Sequence, residues 1–379
     1  MKVRIATQEL SKALQRANSV ANKRQTQPQF SYAWVRPLSA SEIEIFATDG
    51  DISLTGKYSA QVSEYTLEDS FTLHARQSSD LVRTITEPEV EITTLEAHSV
   101  ELRSKHGVFK FLGIDMSAPQ PLQKAPRDLE APVFDVHAQA LAQLIDRSVF
   151  CASTEEERQN LSGVYVEKIA SNRMRFVATD GHRLSYADYS AQDGDIAIDS
   201  GRIIPRRSLL EMRKLLSDGD THRTVRFGLT SQACMLVDGG LVFHSQLVQG
   251  VFPKYDMIIP KSPDKRIKMN RMQLADCLKR VSLVSQQHSY AVHMLFEPES
   301  LTLKAESPEF GTACEKMAIH YQGDPVQIVF NAKYILDVLA LIPEQGILWE
   351  MIDAAAPAMI QPLEASHFLA LVMPMNVND

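Results

Sequence analysis

Ala47-Thr48-Asp49-Gly50 and Ala178-Thr179-Asp180-Gly181 lie 131 residues apart, and each follows an apolar strand. A third copy, Ala305-Glu306-Ser307-Pro308, is degenerate. Upstream of these turns, the pattern Leu-x-x-x-(Leu/Ile)-x-Arg follows a short apolar strand three times. It reads Leu10, Leu14 and Arg16 after Val3 and Ile5, then Leu141, Ile145 and Arg147 after Phe134 and Val136. The third copy is Leu274, Leu278 and Arg280 after Ile267 and Met269, and the intervals are 131 and 133 residues. Downstream, a second helix is predicted over Leu73 to Ile85, Ile204 to Leu216 and Phe330 to Ile342, with Arg76, Arg207 and Lys333 at equivalent places. The last interval is a little short, as trimmed surface loops allow.

Three markers at nearly one spacing make each copy a whole domain, because solenoid repeats are only roughly 20–50 residues long. Within a copy the order is strand, helix, several strands, helix, several strands. Runs such as Val90-Glu91-Ile92, Val100-Glu101-Leu102 and Val108-Phe109-Lys110-Phe111 alternate, as antiparallel strands with one buried face do. Turn signals such as Asp238-Gly239-Gly240 and Glu297-Pro298-Glu299-Ser300 punctuate them. The expected fold is α+β, with three repeated domains of two helices packed on antiparallel sheet. The domains are expected at 1–129, 130–260 and 261–379, with boundaries in the Pro-rich stretches Ala118–Pro132 and Pro253–Pro263.

A chain of 379 residues suits such a division, being too long for one core. No apolar run reaches the roughly 18 residues of a membrane span. The opening MKVRIATQEL turns polar at once, unlike a secretory signal, so the expected location is cytoplasmic. Cys151, Cys234, Cys277 and Cys314 are scattered without the spacing of a zinc site or redox dithiol, and read as buried reduced thiols. No metal or cofactor is expected.

A formal charge of −8 argues at first against a DNA partner, since phosphate binders usually carry a basic footprint. The charge is sorted, however. Counted over Thr7–Arg24, Arg76–Ile85, Val136–Arg147, Arg202–Lys214, Arg271–Arg280 and Asn331–Ile342, the helical segments carry +10 against −8 for the whole chain, leaving −18 elsewhere. On the first helix Leu10, Leu14, Ala17 and Ala21 form an apolar stripe, with Lys12, Arg16 and Lys23 on the opposite side. Two readings fit: solvated helix faces that favour Lys and Arg, or a sequence-independent phosphate track. Sparse aromatics, with two Trp, favour duplex over single-stranded nucleic acid.

At Thr179-Asp180-Gly181-His182-Arg183-Leu184 the chain resembles the bacterial sliding clamp family, the β subunit of DNA polymerase III. Phe252-Pro253-Lys254-Tyr255-Asp256-Met257-Ile258-Ile259-Pro260 is similar to that family's linker between its second and third domains. Asn331-Ala332-Lys333-Tyr334-Ile335-Leu336-Asp337-Val338-Leu339 resembles its third-domain helix, and Val372-Met373-Pro374-Met375 its C-terminal segment. The resemblance covers essentially the whole chain. It implies the DNA clamp fold, each chain forming half of a head-to-tail dimeric ring around double-stranded DNA, with helices inside and sheets outside. It also implies a processivity factor that tethers the replicative polymerase, clamp loader and repair polymerases through short hydrophobic peptides.

Carried over by position, the resemblance places the peptide groove at Leu161, Thr179, Gly181, His182, Arg183 and Leu184. The linker adds Pro253, Met257 and Ile258; the third domain adds Tyr290, Asn331, Tyr334, Leu371, Val372, Met373, Pro374 and Met375. A plainer reading makes Leu161, Leu184 and Val372 core residues. Arg24 matches a DNA-contact position, and the repeat adds Arg76, Arg207, Arg213, Lys214 and Lys333. The ring interface is expected around Phe109 on one copy and Leu283 and Val284 on the next. The chain departs from the family at Met257, where some relatives carry Arg, and at the tail Asn376-Val377-Asn378-Asp379, where Arg-Leu is common.

Two rival readings remain. Asp180, His182 and Ser185 invite comparison with a hydrolase, but no nucleophile elbow, phosphate loop or metal-binding His cluster accompanies them, so no catalytic residue is expected. A ring-forming adaptor serving repair rather than replication would show the same repeat.

Overall fold

The structure, a computed structural model, describes residues 1–21, 27–115, 133–155, 157–191, 195, 196, 198, 201–285, 289–364 and 367–375. By contacts the chain divides into two compact units, one mainly Met1–Leu141 and Arg207–Leu247, the other mainly Ala142–Ile196, Gly201–Arg206 and Val248–Asp379.

In the first unit one sheet has five strands in the order β5 (Gln61–Ser63), β1 (Lys2–Ala6), β7 (Glu89–Thr94), β8 (Ser99–Arg103) and β9 (Val108–Leu112). The other has eight: β10 (Val133–His137), β15 (Thr224–Leu229), β16 (Ala233–Asp238), β17 (Leu241–Gln246), β4 (Ile52–Ser59), β3 (Glu42–Thr48), β2 (Tyr32–Ser39) and β6 (Phe71–His74). Helices α1 (Thr7–Val20) and α2 (Ala75–Val82) pack on each other. In α1, Leu10, Ala13, Leu14, Ala17 and Val20 recur at three- and four-residue spacing and are buried. Val3, Ile5, Leu73, Val82, Val90 and Leu102 join Leu10, Ala13, Leu14 and Ala17 in one core.

The second unit repeats the plan. Its eight-stranded sheet runs β14 (Arg202–Pro205), β11 (Gly163–Ala170), β12 (Arg173–Thr179), β13 (Arg183–Ser190), β25 (Phe368–Val372), β24 (Ala358–Pro362), β23 (Gly346–Met351) and β18 (Lys265–Asn270). A four-stranded sheet runs β21 (Gly311–Ala318), β20 (Ser300–Ser307), β19 (Ala291–Glu297) and β22 (Val326–Asn331). Helices α5 (Arg271–Ser282) and α6 (Ala332–Leu339) pack together. Among the described residues the other two α-helices are α3 (Ala138–Val149) and α4 (Arg206–Leu216).

All pairings are antiparallel, and two of them join repeats. The strand after the first Thr-Asp-Gly turn, β4, takes the last strand of the second repeat, with Ile52 opposite Ser245 and Gly56 opposite Leu241. The strand after the second turn, β13, takes the last strand of the third repeat, with Arg183 opposite Val372 and Ala187 opposite Phe368. Repeats therefore continue one another's sheets, which is why contacts resolve two units where the sequence repeats three times.

The second helices are shorter than expected. Leu73, Ile204 and Phe330 lie in β6, β14 and β22, and the helices begin at Ala75, Arg206 and Ala332. Each strand runs straight into its helix. For α2 and α6 the junction residue caps the helix: His74 Nδ1 accepts from Gln77 N at 3.4 Å, and Asn331 Oδ1 from Lys333 N at 2.9 Å. One thiol also differs from expectation: Cys151, Cys234 and Cys277 are buried, whereas Cys314 is exposed on an edge strand whose even positions face outward.

Candidate functional site

Both Thr-Asp-Gly turns fold by the same bonds. In the second, Thr179 Oγ1 donates to Arg183 O at 2.7 Å and accepts from Gly181 N at 3.1 Å. Asp180 Oδ1 accepts from His182 N and Arg183 N at 2.9 and 3.0 Å. In the first, Thr48 Oγ1 donates to Ile52 O at 2.7 Å, and Asp49 Oδ1 accepts from Asp51 N and Ile52 N at 3.0 and 2.8 Å. Gly50 and Gly181 take φ of +98° and +91°, where a Cβ is strained.

From the second turn Arg183 reaches inward. Its Nε donates to Asp180 Oδ2 at 3.0 Å, Nη1 to Asp337 Oδ2 on α6 at 2.6 Å, and Nη2 to Phe150 O at 3.0 Å. The guanidinium lies 4.5 Å from the Tyr334 ring centroid and 5.3 Å from that of Phe150. His182 stacks on Tyr334 with centroids 6.3 Å apart, and its carbonyl accepts from Met373 N at 2.9 Å. Burial pushes the Tyr334 phenol above its ordinary value.

Beneath this corner Leu161, Val177, Leu184, Phe252, Tyr255, Leu369 and Leu371 form one buried cluster. Tyr165 stacks on Phe252, with centroids 5.0 Å apart and planes within 5°. The linker is pinned as well, because Tyr255 OH donates to Glu167 Oε1 at 2.5 Å and accepts from Arg175 Nη1 at 3.4 Å. With Phe252 and Tyr255 held down, the linker leaves Met257 and Ile258 at 79% and 47% exposure. Tyr290 and Met373 add apolar rim at 38% and 37%.

The expected groove residues thus divide by burial. Leu161, Thr179, Leu184, Leu371 and Val372 are buried, while Gly181, His182, Pro253, Met257, Ile258, Tyr290 and Met373 are exposed. Arg183, Asn331, Tyr334, Pro374 and Met375 are intermediate, and Met375 N donates to Val329 O at 2.8 Å. Asn331 spends its side-chain oxygen on the α6 cap. Three residues absent from the expected set belong to this corner: Asp337, Phe150 and Arg158, whose Nη1 donates to Asp180 O at 3.0 Å. They come from distant stretches, so no local pattern flags them.

The N-terminal, central and C-terminal domain models of the DNA polymerase III beta subunit match residues 1–117, 135–254 and 256–376. The chain belongs to the DNA polymerase III β subunit family. A beta sliding clamp of Caulobacter vibrioides is 28% identical over 381 residues, 100% of each chain. One of Pseudomonas putida is 26% identical over 378 residues, 98% of this chain and 99% of the other. Among solved structures, the Bartonella birtlesii sliding clamp bound to griselimycin has a TM-score of 0.92 at 29% identity, and a Caulobacter crescentus β sliding clamp 0.91 at 28%; both comparisons cover 100% of each chain. The three-domain clamp fold and sliding-clamp function in DNA replication follow from this membership.

As a β subunit, the chain has more of its helix charge neutralised locally than the helix face implied. Arg16 was expected on a solvated face, but its side chain is only 14% exposed and binds Asp218 Oδ2 at 2.5 Å. Lys12 meets the other oxygen at 3.0 Å. Burial pushes the Asp218 pKa up, but bonds from Lys12 and Arg16 outweigh it and hold the carboxyl below its ordinary value. Arg280 pairs with Glu315 at 2.6 Å, and the Arg147 guanidinium sits 5.3 Å from the Phe368 ring centroid.

Of the candidate DNA contacts, Arg24 lies outside the described residues, as do Lys23 and the tail 376–379. Arg207 forms an ion pair with the buried Asp49 of the first turn, and Lys214 pairs with Glu211 at 2.7 Å. Arg213 donates to Ser217 Oγ. Arg76 is well exposed, 3.8 Å from Asp80, and Lys333 is exposed with Nζ 6.0 Å from the Tyr290 centroid. At the expected interface Leu283 is highly exposed, Val284 is intermediate, and Phe109 packs partly on the first-unit core. Among the described residues no helix is long and apolar enough to cross a membrane, and no cluster of three or more His, Cys, Asp and Glu could hold a metal.

Proposed function

We propose that two copies close head to tail into a ring around duplex DNA, and that the ring tethers polymerases through the corner at Arg183. One observation carries this reading: the two joints between repeats share one register and leave one strand unused at each end of the series. β4, β13 and β21 are equivalent by the repeat, as are β9, β17 and β25. β4 is paired with β17 and β13 with β25, whereas among the described residues β21 and β9 are edges of their sheets. Extending the shared register sets Val108–Leu112 of one copy antiparallel to Gly311–Glu315 of the next, with Leu112 opposite Gly311 and Val108 opposite Glu315.

The edges suit that use. Val108 and Leu112 are exposed apolar residues on β9, and an open edge of this kind is a template for another strand. A head-to-tail joint whose rotation closes gives a ring. Phe109, Leu283 and Val284 flank it, the domains being 1–129, 130–260 and 261–379. Inside the ring Arg24, Arg76, Arg207, Arg213, Lys214 and Lys333 supply a mild, sequence-independent cationic track, which a topologically closed ring can afford to keep weak. Nothing in this role asks for catalysis, a metal or a cofactor.

The exposed apolar rim of Met257, Ile258, Tyr290 and Met373 above the Leu161–Leu371 floor is the seat for partner peptides. Their owners are the replicative polymerase, the clamp loader and repair polymerases. Primer extension on a long circular template tests the reading. The protein, loaded with its cognate loader and polymerase, should lengthen products per binding event many-fold, and unchanged product length would refute it.

A further inference from the structure

In the second repeat the linker is seated on β11 and β12 through two contacts. Phe252 stacks on Tyr165, and Tyr255 OH reaches the Glu167 and Arg175 side chains. The first repeat builds the same seat on β2 and β3. Trp34 and Arg36 stand 131 residues before Tyr165 and Glu167, and Glu44 and Phe46 the same distance before Arg175 and Val177. The cross-strand pairing is identical: Trp34 faces Phe46 and Arg36 faces Glu44, as Tyr165 faces Val177 and Glu167 faces Arg175. Acid and base have changed strands, and in the first repeat they form an ion pair. Trp34 packs against Phe46 with centroids 5.6 Å apart, and both line a cavity of about 240 Å³. That exceeds the roughly 150 Å³ that holds benzene in an apolar cavity. Leu67, which is 68% exposed, joins the lining with Glu68 and Asp69. The first linker cannot repeat the stacking of Phe252, because residues 116–132 include no Phe, Tyr or Trp.

We propose that this face of the first repeat docks a segment of another protein, one with an aromatic-Pro-x-Tyr core flanked by Lys or Arg. The chain's own Phe252-Pro253-Lys254-Tyr255 is the template for the occupant. Its first ring fills the cavity and stacks on Trp34, as Phe252 does on Tyr165. Its tyrosine OH accepts from the Arg36 guanidinium, whose side chain is 43% exposed, as Tyr255 accepts from Arg175. The lining sets Glu44, Glu68 and Asp69 against Arg36 alone, so a cationic flank is attracted and an acidic one repelled. No residue of the Arg183 corner takes part.

A fluorescein-labelled peptide, Lys-Phe-Pro-Lys-Tyr-Lys, tests this on the full-length protein by anisotropy. Binding with a Kd below about 100 μM is expected, with a loss of more than about tenfold when Ala replaces both rings. Glu in place of the three lysines should weaken it by more than about threefold, a difference that shrinks in high salt. Leu67→Arg, at an exposed position, should weaken binding of the cationic peptide by more than about fivefold. Trp34 supplies a second readout. The other tryptophan, Trp349, is fully buried in the third repeat, so unlabelled peptide should shift the emission of the parent and not that of Trp34→Phe. Absence of binding up to about 1 mM would overturn the proposal in favour of the chain's own residues 116–132 as occupant. Binding that survives Leu67→Arg and leaves the Trp34 emission unmoved would put the peptide elsewhere, and would overturn it too.

Discussion

Arg183 Nη1 and Asp337 Oδ2 lie 2.6 Å apart, joining the second Thr-Asp-Gly turn to α6. In the first turn the polarity is reversed: Asp49 supplies the acid and Arg207, on the equivalent helix α4, the base. The two latches use different positions of the repeat, since Asp49 matches Asp180 and Arg207 matches Lys333, but each ties a turn to the second helix of the following repeat. Arg183 is also the residue on which Tyr334 rests, so the same contact holds a turn, a helix and a rim ring in fixed relation.

Removing Arg183 therefore strips partners from Asp337, Phe150 O and Asp180 together. Arg183→Ala should cost about 2–3 kcal/mol, below the fully buried case because Asp337 is partly solvated. Arg183→Lys keeps the charge but loses the planar fork, and should recover less than about half of that loss. Urea unfolding followed by circular dichroism measures both; a Lys variant as stable as the parent would contradict the geometry.

Asp218 offers a pH test. Its folded pKa is lowered, so its contribution is present above the ordinary carboxylate range near about 4 and disappears as pH falls through the folded value. Asp218→Asn should cost about 1 kcal/mol at pH 7, discounted for partial exposure, and progressively less below about pH 4. A gap that widens on acidification would show that Lys12 and Arg16 do not hold this carboxylate.

At the open edge β9, Lys110→Pro removes a backbone donor and adds a ring that a paired strand cannot accept. The dimer should weaken by more than about tenfold in sedimentation equilibrium, while the monomer keeps its fold because, among the described residues, β9 pairs with β8 alone. An unchanged dimer constant would remove β9 from the interface.

Burial pushes the Cys151 thiol well above its ordinary value, the Cys234 thiol to about 12 and the Cys277 thiol to about 11. These three should resist a thiol reagent at pH 8 and react only on unfolding, at the rate of global opening. Fast labelling of any of them in the native protein would contradict the packing.

The repeat and the fold class were legible because they rest on local patterns: Thr-Asp-Gly, an amphipathic first helix, alternating strands; the groove residues came only from the resemblance to the clamp family. The misplaced helix starts at Leu73, Ile204 and Phe330 have a physical cause. Short apolar runs fit strand and helix alike, and the boundary is set by residues such as His74 and Asn331 that cap the first turn. Arg16 was misjudged for another reason. A helical wheel sees neighbours three and four residues away, whereas Asp218 lies 202 residues distant. The edge strands β9 and β21 stood out only once the two joints between repeats were known, because an unpaired edge is a property of the whole sheet.

Retention on DNA of two topologies addresses the ring most directly. Protein loaded onto nicked circular duplex should remain bound at a salt concentration that abolishes ordinary phosphate contacts, and should be lost within minutes once a restriction enzyme cuts the circle. Equal retention on the circular and the linearised molecule would contradict encirclement.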